Sequence, residues 1–150
     1  MNETSIPTFI QHYHGRFHGI LRWHQLDALW ARVKSQPEGW YIYFVGGIVP
    51  DHVANMETVT LFIQELDELL RQDHDHDYCG IVYADDLQHP QMIKIFDPHH
   101  LGFSCGSSGK PVFPRWILTR ILPELLEENA PIPANRKRWW QRFFPTHTSL

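Results

Sequence analysis

Residues 56–72 carry apolar side chains at three- and four-residue intervals, which is the spacing of a helix that buries one face. The apolar face holds Val59, Phe62, Ile63, Leu66, Leu69 and Leu70. The opposite face is charged, and Asn55 precedes the first turn, where its side chain can accept a hydrogen bond from a free backbone N–H group. Because such a helix is stable only against another apolar layer, the rest of the chain must provide a sheet or further helices.

Three β-favouring runs can form that layer. Residues 40–45, WYIYFV, lie between glycines and predict a central strand that is buried on both faces. Residues 78–84 and 92–96 are separated by DDLQHPQ and predict an antiparallel hairpin in the middle of the sheet. In the second of these runs Lys94 points away from its isoleucine neighbours, which predicts one solvent-facing side. A further short strand is expected at 101–104.

Helix signals occupy much of the remaining chain. Residues 5–21, with Ser5 as the N-cap, predict a first helix, and the apolar spacing of residues 23–34 predicts a second. Pro114 suits the first turn of a further helix that ends near Pro123. The predicted fold class is α+β, a small and mostly antiparallel sheet of three to four strands covered by helices. The predicted order is α-α-β-α-β-β-(β)-α, followed by a basic aromatic tail.

Charge and proline content divide the chain near its C-terminal end. Residues 1–122 form the predicted single domain, 123–135 a Pro-rich linker and 136–150 the tail. All seventeen Asp and Glu and nine of the thirteen Lys and Arg precede the tail, so this body carries a formal charge of −8 and the tail carries +4. The body therefore lacks the wide cationic face that nucleic-acid binding needs, and nucleic acid is not an expected partner.

The tail has the most distinctive composition in the chain, RKRWWQRFF. We predict that it binds a protein partner, because Trp and Arg are enriched at binding hot spots. The predicted contact residues are Arg136, Lys137, Arg138, Trp139, Trp140, Arg142, Phe143 and Phe144. Two alternatives stay open: the same mixture suits peripheral contact with a membrane, and the rings can instead pack on the chain's own core. Because body and tail have opposite charge, a homo-oligomer is a further option.

Cys105 lies in the Gly/Ser-rich loop GFSCGSSGKP and is the candidate nucleophile if the protein is a thiol-dependent enzyme. A catalytic thiol needs a base, and His99 and His100 are close in sequence. The loop is not a Walker A motif, because Ser104 replaces its first glycine and Pro111 replaces the Ser or Thr that binds magnesium. The alternative is a tight connection in which the glycines supply unusual backbone angles.

Eleven histidines make metal binding a hypothesis to test. His14 and His18 share a face at the i, i+4 spacing if residues 5–21 are helical, and His74 and His76 lie among aspartates. The two cysteines have no CxxC spacing, so neither a zinc ribbon nor a redox pair is predicted, and no cofactor is expected. The alternative is that these are surface histidines beside carboxylates.

The tetrapeptide Tyr83-Ala84-Asp85-Asp86 is similar to the YxDD motif of reverse transcriptases, and it lies at a predicted hairpin tip. The resemblance implies paired aspartates that hold metal ions for phosphoryl transfer. That chemistry also needs a third carboxylate from a separate strand and a basic template channel, which a short acidic chain does not provide. We therefore interpret the motif as a polar turn whose Asp side chains bond local backbone.

No set of residues in the sequence specifies a reaction, whereas the aromatic content is high, with six Trp, nine Phe and five Tyr. We therefore expect a non-enzymatic, soluble interaction or accessory module. A thiol enzyme at Cys105 and a histidine-mediated metal-binding protein are the alternatives. The lack of a long apolar run and of a signal-peptide pattern predicts a cytoplasmic protein, in which the tail offers a route to peripheral membrane contact.

Overall fold

The computed structural model describes residues 8–98, 113–126 and 134–144. The helices and strands are α1 (Phe9–Tyr13), β1 (His18–Gly19), α2 (Trp23–Ser35), β2 (Tyr41–Phe44), α3 (Met56–Asp73), β3 (Val82–Ala84), β4 (Met92–Ile95), β5 (Trp116–Thr119) and α4 (Ala134–Trp140). The fold class is α+β, as the sequence predicts. No helix within these ranges has both the length and the apolar character needed to cross a bilayer.

The five strands form one antiparallel sheet in the order β1-β3-β4-β5-β2. The predicted count of three to four strands is therefore too low. The hairpin of β3 and β4 is present, and β4 is the middle strand. The run at residues 40–45 is not central: β2 lies at an edge, although its side chains are buried on both faces. The loop after β2 covers part of this edge, because the backbone N–H of Ala54 donates to the carbonyl oxygen of Trp40.

Residues 116–119 form a strand, and the helix predicted from Pro114 to near Pro123 is wrong. All four side chains of β5 are buried, and the strand pairs with β4 on one side and with β2 on the other. Periodicity cannot distinguish a short apolar run in a helix from one in a buried strand. Here the two neighbouring strands, which are distant in sequence, supply the hydrogen bonds that decide the conformation.

The helix predicted over residues 5–21 is also wrong in extent. The observed helix, α1, begins after Thr8, whose side chain accepts a hydrogen bond from the backbone N–H of Gln11, and it ends at Tyr13. The chain then pairs as β1 with β3. Ser5 and the strand expected at 101–104 lie outside the described residues. By contrast, α2 and α3 match their predicted positions, and Asn55 caps α3 by accepting from the N–H of Thr58 at 2.8 Å.

Each face of the sheet carries its own apolar cluster. On one face α2 and α3 pack against alternate strand residues such as Ile42, Ile93 and Leu118. On the other face α1 packs Phe9 and Tyr13 against a smaller set of strand side chains: Tyr43, Val45, Met92 and Ile117. The sheet is therefore covered on both sides at β2, which explains why this edge strand has no exposed face.

Candidate interaction surface on the C-terminal helix

Residues 136–140 of the tail lie in α4, which is fixed to the body by Arg136. The guanidinium donates from Nε and Nη2 to both carboxylate oxygens of Asp97, at 3.0 Å in each case, and from Nη2 to Asp73 at 2.8 Å. Asp73 ends α3 and Asp97 follows β4. The bidentate contact with Asp97 and the bond to Asp73 thus join α4 to the end of α3 and to the segment after β4. Arg136 is only 4% exposed, so this contact is largely shielded from water.

The charge on Arg136 is maintained by these partners. Burial of the guanidinium lowers its pKa, but the hydrogen bonds and negative charges of Asp97 and Asp73 outweigh that effect, so the pKa of Arg136 is raised overall. The side chain is therefore a structural anchor of α4, and it is not available on the outer surface for a partner.

Two indole rings form the rest of the anchor. The ring of Trp139 lies 5.6 Å from that of Trp116 and 5.9 Å from that of Phe62, measured between centroids. The ring of Trp140 lies 4.7 Å from that of Phe44 and 6.2 Å from that of Phe62. These distances and angles are those of favourable aromatic pairs. Both indoles thus pack on the chain's own core, which is one of the alternatives that the sequence leaves open.

The anchored helix still presents an outer surface, which we call the α4 surface. It consists of the exposed side chains Lys137, Arg138, Gln141 and Arg142 and the half-exposed side chains Trp139, Trp140, Phe143 and Phe144. Arg142 is held by Glu65 of α3 at 3.0 Å, whereas Lys137 and Arg138 form no ion pair within the described residues. Seven of the eight predicted contact residues thus stay at least partly exposed, and the eighth, Arg136, is buried beneath the helix.

The histidines predicted as metal ligands are not brought together. His14 is the C-cap of α1 and His18 belongs to β1, so they do not share a helix face, because the helix ends before Gly15. His74 and His76 are close, with ring centroids 4.5 Å apart. Across the described parts of the chain, no group of three or more His, Cys, Asp or Glu side chains is arranged to hold a metal ion.

His74 has a structural environment. Its Nε2 lies 2.8 Å from the carbonyl oxygen of Cys79, which requires a proton on Nε2 because the oxygen can only accept. Burial lowers the pKa of His74, and the nearby charge of His76 acts in the same direction, against the effect of the Cys79 carbonyl. Cys79 is itself buried, and burial raises the pKa of its thiol.

Cys105, His99 and His100 lie outside the described residues, so the thiol-enzyme hypothesis stays a prediction. The turn around Asp85 and Asp86 is described, and the interpretation as a polar turn is confirmed. Asp86 accepts hydrogen bonds from the backbone N–H groups of Gln88 and His89, and Asp85 accepts from those of Gln91 and Met92. Asp85 also lies 2.7 Å from Nε2 of His12, which fixes α1 to the turn.

The sequence predicts that Lys94 faces solvent, but α1 and the segment after it cover that side of the sheet. The Nζ atom donates to the carbonyl oxygen of Tyr13 at 2.8 Å and lies 4.0 Å and 3.9 Å from the ring centroids of Tyr13 and Phe17. Partial burial lowers the pKa of Lys94 to about 8. The alternation of Ile93, Lys94 and Ile95 predicts that the lysine lies on the opposite face of the strand from the isoleucines. It does not predict that a helix covers that face.

Lys94 should make the stability of the protein depend on alkaline pH. Because the pKa is about 8 when folded and near 10.5 when unfolded, the unfolded chain binds more protons between these values. The free energy of unfolding of the wild type, relative to Lys94→Met, should therefore increase as the pH rises from 8 to 10 and stay constant below 8. Urea unfolding at a series of pH values measures it. The exposed Lys34, replaced in the same way, is the control and should show no such difference.

Comparison of the chain with protein-family models, with curated proteins and with solved structures finds no match in any of the three. The α4 surface is therefore interpreted from its own geometry.

Proposed function

We propose that the chain is a non-enzymatic interaction or accessory module that acts in the cytoplasm and docks a protein partner through the α4 surface. The observation that carries the proposal is the mode of attachment of α4. Arg136 and the two indoles fix the helix from below, whereas Lys137 and Arg138 are exposed and form no ion pair within the described residues. The rings of Trp139, Trp140, Phe143 and Phe144 remain partly exposed beside them. Trp and Arg are enriched at binding hot spots, and Phe is enriched at interfaces in general.

The attachment also lowers the expected cost of binding. A helix that is already folded and held on a scaffold loses less conformational freedom when a partner docks than a free tail does. Trp139 and Trp140 both pack on the core and remain partly exposed, and the ring of Phe144 stacks on that of Trp140 with centroids 4.4 Å apart. Partner contact can thus use rigid aromatic area next to charge.

The charges favour a partner with acidic groups around an apolar contact. Lys137 and Arg138 lie on the outward side of a body whose formal charge is −8, so they form a local cationic site on a negative molecule. Opposite charges across an interface accelerate association and exclude partners of the wrong sign. A cationic partner would be attracted by the acidic body, but Lys137 and Arg138 would repel it from α4.

The direct test is reversal of the two outward charges. Lys137→Glu combined with Arg138→Glu should leave the unfolding midpoint nearly unchanged, because both side chains are exposed and unpaired in the described structure. Affinity capture from the native host should then identify a protein that the wild type retains and the double variant loses. With that protein purified, the dissociation constant should increase at least about tenfold.

The matched control is Lys34→Glu, which reverses an exposed charge on α2 away from α4. If it weakens capture as much as the double variant, the effect is one of net charge and the docking site is wrong. Two other outcomes contradict a separate protein partner. One is charge-dependent sedimentation with phosphatidylserine vesicles but not with phosphatidylcholine vesicles. The other is a homodimer in light scattering that the double variant dissociates.

A further inference from the structure

A groove with a volume of about 220 Å³ lies between the C-terminal end of α2 and the turn that joins β3 to β4. Its lining includes Arg32 and Arg120, His89, and the polar side chains of Ser35 and Gln36, and no carboxylate lines it. On a body with an excess of negative charge, a concave site lined by two guanidinium groups and an imidazole favours an anion.

Arg120 is held in a fixed position at this groove. Its Nη1 donates to the carbonyl oxygen of Glu38 at 2.7 Å and its Nη2 to that of Gln36 at 2.8 Å. The guanidinium also lies 4.4 Å above the ring of Trp40. These contacts use two of its five N–H groups and leave others available as donors. These two carbonyl oxygens follow the C-terminal end of α2 and carry partial negative charge. Because they accept from Arg120, they repel an anion in the groove less than free carbonyl groups would.

The other two groups are accessible. Arg32 and His89 are exposed, and Arg32 forms no ion pair within the described residues. The neighbouring carboxylates are those of Glu38, which attracts Arg120, and Asp86, which accepts from the backbone N–H groups of Gln88 and His89. Neither belongs to the groove lining. One fixed guanidinium and two adjustable donors therefore converge on one small space.

We propose that this groove binds the phosphate group of a small phosphorylated molecule. Arginine presents parallel N–H donors that match a phosphate, and it keeps its charge when partly buried. The volume is below the roughly 300–1,000 Å³ typical of sites for larger ligands, so the groove suits a phosphate and the atoms next to it. None of its residues belongs to the α4 surface, so the site is independent of the proposed partner docking.

Isothermal titration with inorganic phosphate and with glycerol phosphate, at an ionic strength kept constant with sodium chloride, tests the site. We expect saturable binding of one equivalent of each. Arg32→Gln should weaken it at least about tenfold, because a charged hydrogen bond is lost, and His89→Gln should weaken it by a smaller factor. Both positions are exposed, so both variants should fold, and the unfolding midpoint of each verifies this.

Lys34→Gln is the control, since it removes one positive charge from the same helix but from outside the groove. An equal loss of binding in this variant would show attraction by the general field and overturn the site. Absence of saturation would overturn it as well. Binding of acetate as tight as that of phosphate would overturn the choice of ligand, and binding of inorganic phosphate without glycerol phosphate would exclude a phosphorylated small molecule.

Discussion

Replacing Arg136 with methionine is expected to lower the free energy of unfolding by about 3–5 kcal/mol, because it leaves two carboxylates without their shared cation. Asp97 is only 4% exposed, so water cannot fully replace the guanidinium there. Methionine keeps most of the length of the side chain, which restricts the change to charge and hydrogen bonding. Urea unfolding followed by circular dichroism measures the effect.

Arg138→Met is the matched control for this substitution. Arg138 lies in the same helix but is exposed, so its replacement should change the free energy of unfolding by less than about 0.5 kcal/mol. Release of α4 should also be visible locally, as faster tryptic cleavage after Lys137 in the Arg136 variant under native conditions. Equal stability of the two variants would show that Arg136 does not anchor the helix.

Phe62→Ala should be about as costly, with an expected loss of about 3–5 kcal/mol. Phe62 is fully buried in α3, and its ring centroid lies 5.9 Å from that of Trp139, 6.2 Å from that of Trp140 and 6.0 Å from that of Phe143. Truncation therefore opens a cavity beneath α4 and removes three aromatic contacts. The neighbouring Leu61, which is 47% exposed, provides the control, since Leu61→Ala should have little effect.

The two substitutions should not be additive. Both Arg136 and Phe62 hold α4 against the body. Replacement of either one partly releases the helix, so replacement of the second then lowers the free energy of unfolding by less. The double variant should thus be less destabilised than the sum of the single variants. Full additivity would mean that the ionic and aromatic contacts act independently, and that α4 stays docked when one of them is lost.

The parts of the fold that could be predicted are those specified by local sequence. Asn55 and the apolar face of residues 56–72 contain the cap and the periodicity of α3 within one segment. β1 and β5 could not be predicted in this way, because their conformation depends on pairing with strands that are distant in sequence. A run such as WILT becomes a strand when β4 and β2 lie on either side of it.

The candidate site shows the same division. The composition of residues 136–144 indicates contact residues without indicating what lies beneath them. That Arg136 faces inward depends on Asp73 and Asp97, which belong to different parts of the fold. Lys94 is comparable: its direction along the strand is local information, whereas the covering by Tyr13 and Phe17 is a tertiary feature. The groove lined by Arg32, His89 and Arg120 likewise joins residues of three separate segments.

The position of β2 at the sheet edge has a consequence for synthesis. Within the described residues the strand partner of β2 is β5, which is the last strand along the chain, so β2 leaves the ribosome long before it can pair. During that interval the segment WYIYFV is an unpaired, uncharged and strongly β-favouring run, which is the kind of segment that aggregates. We expect refolding to be slow for a protein of this size, because β2 must pair with a strand that is distant in sequence.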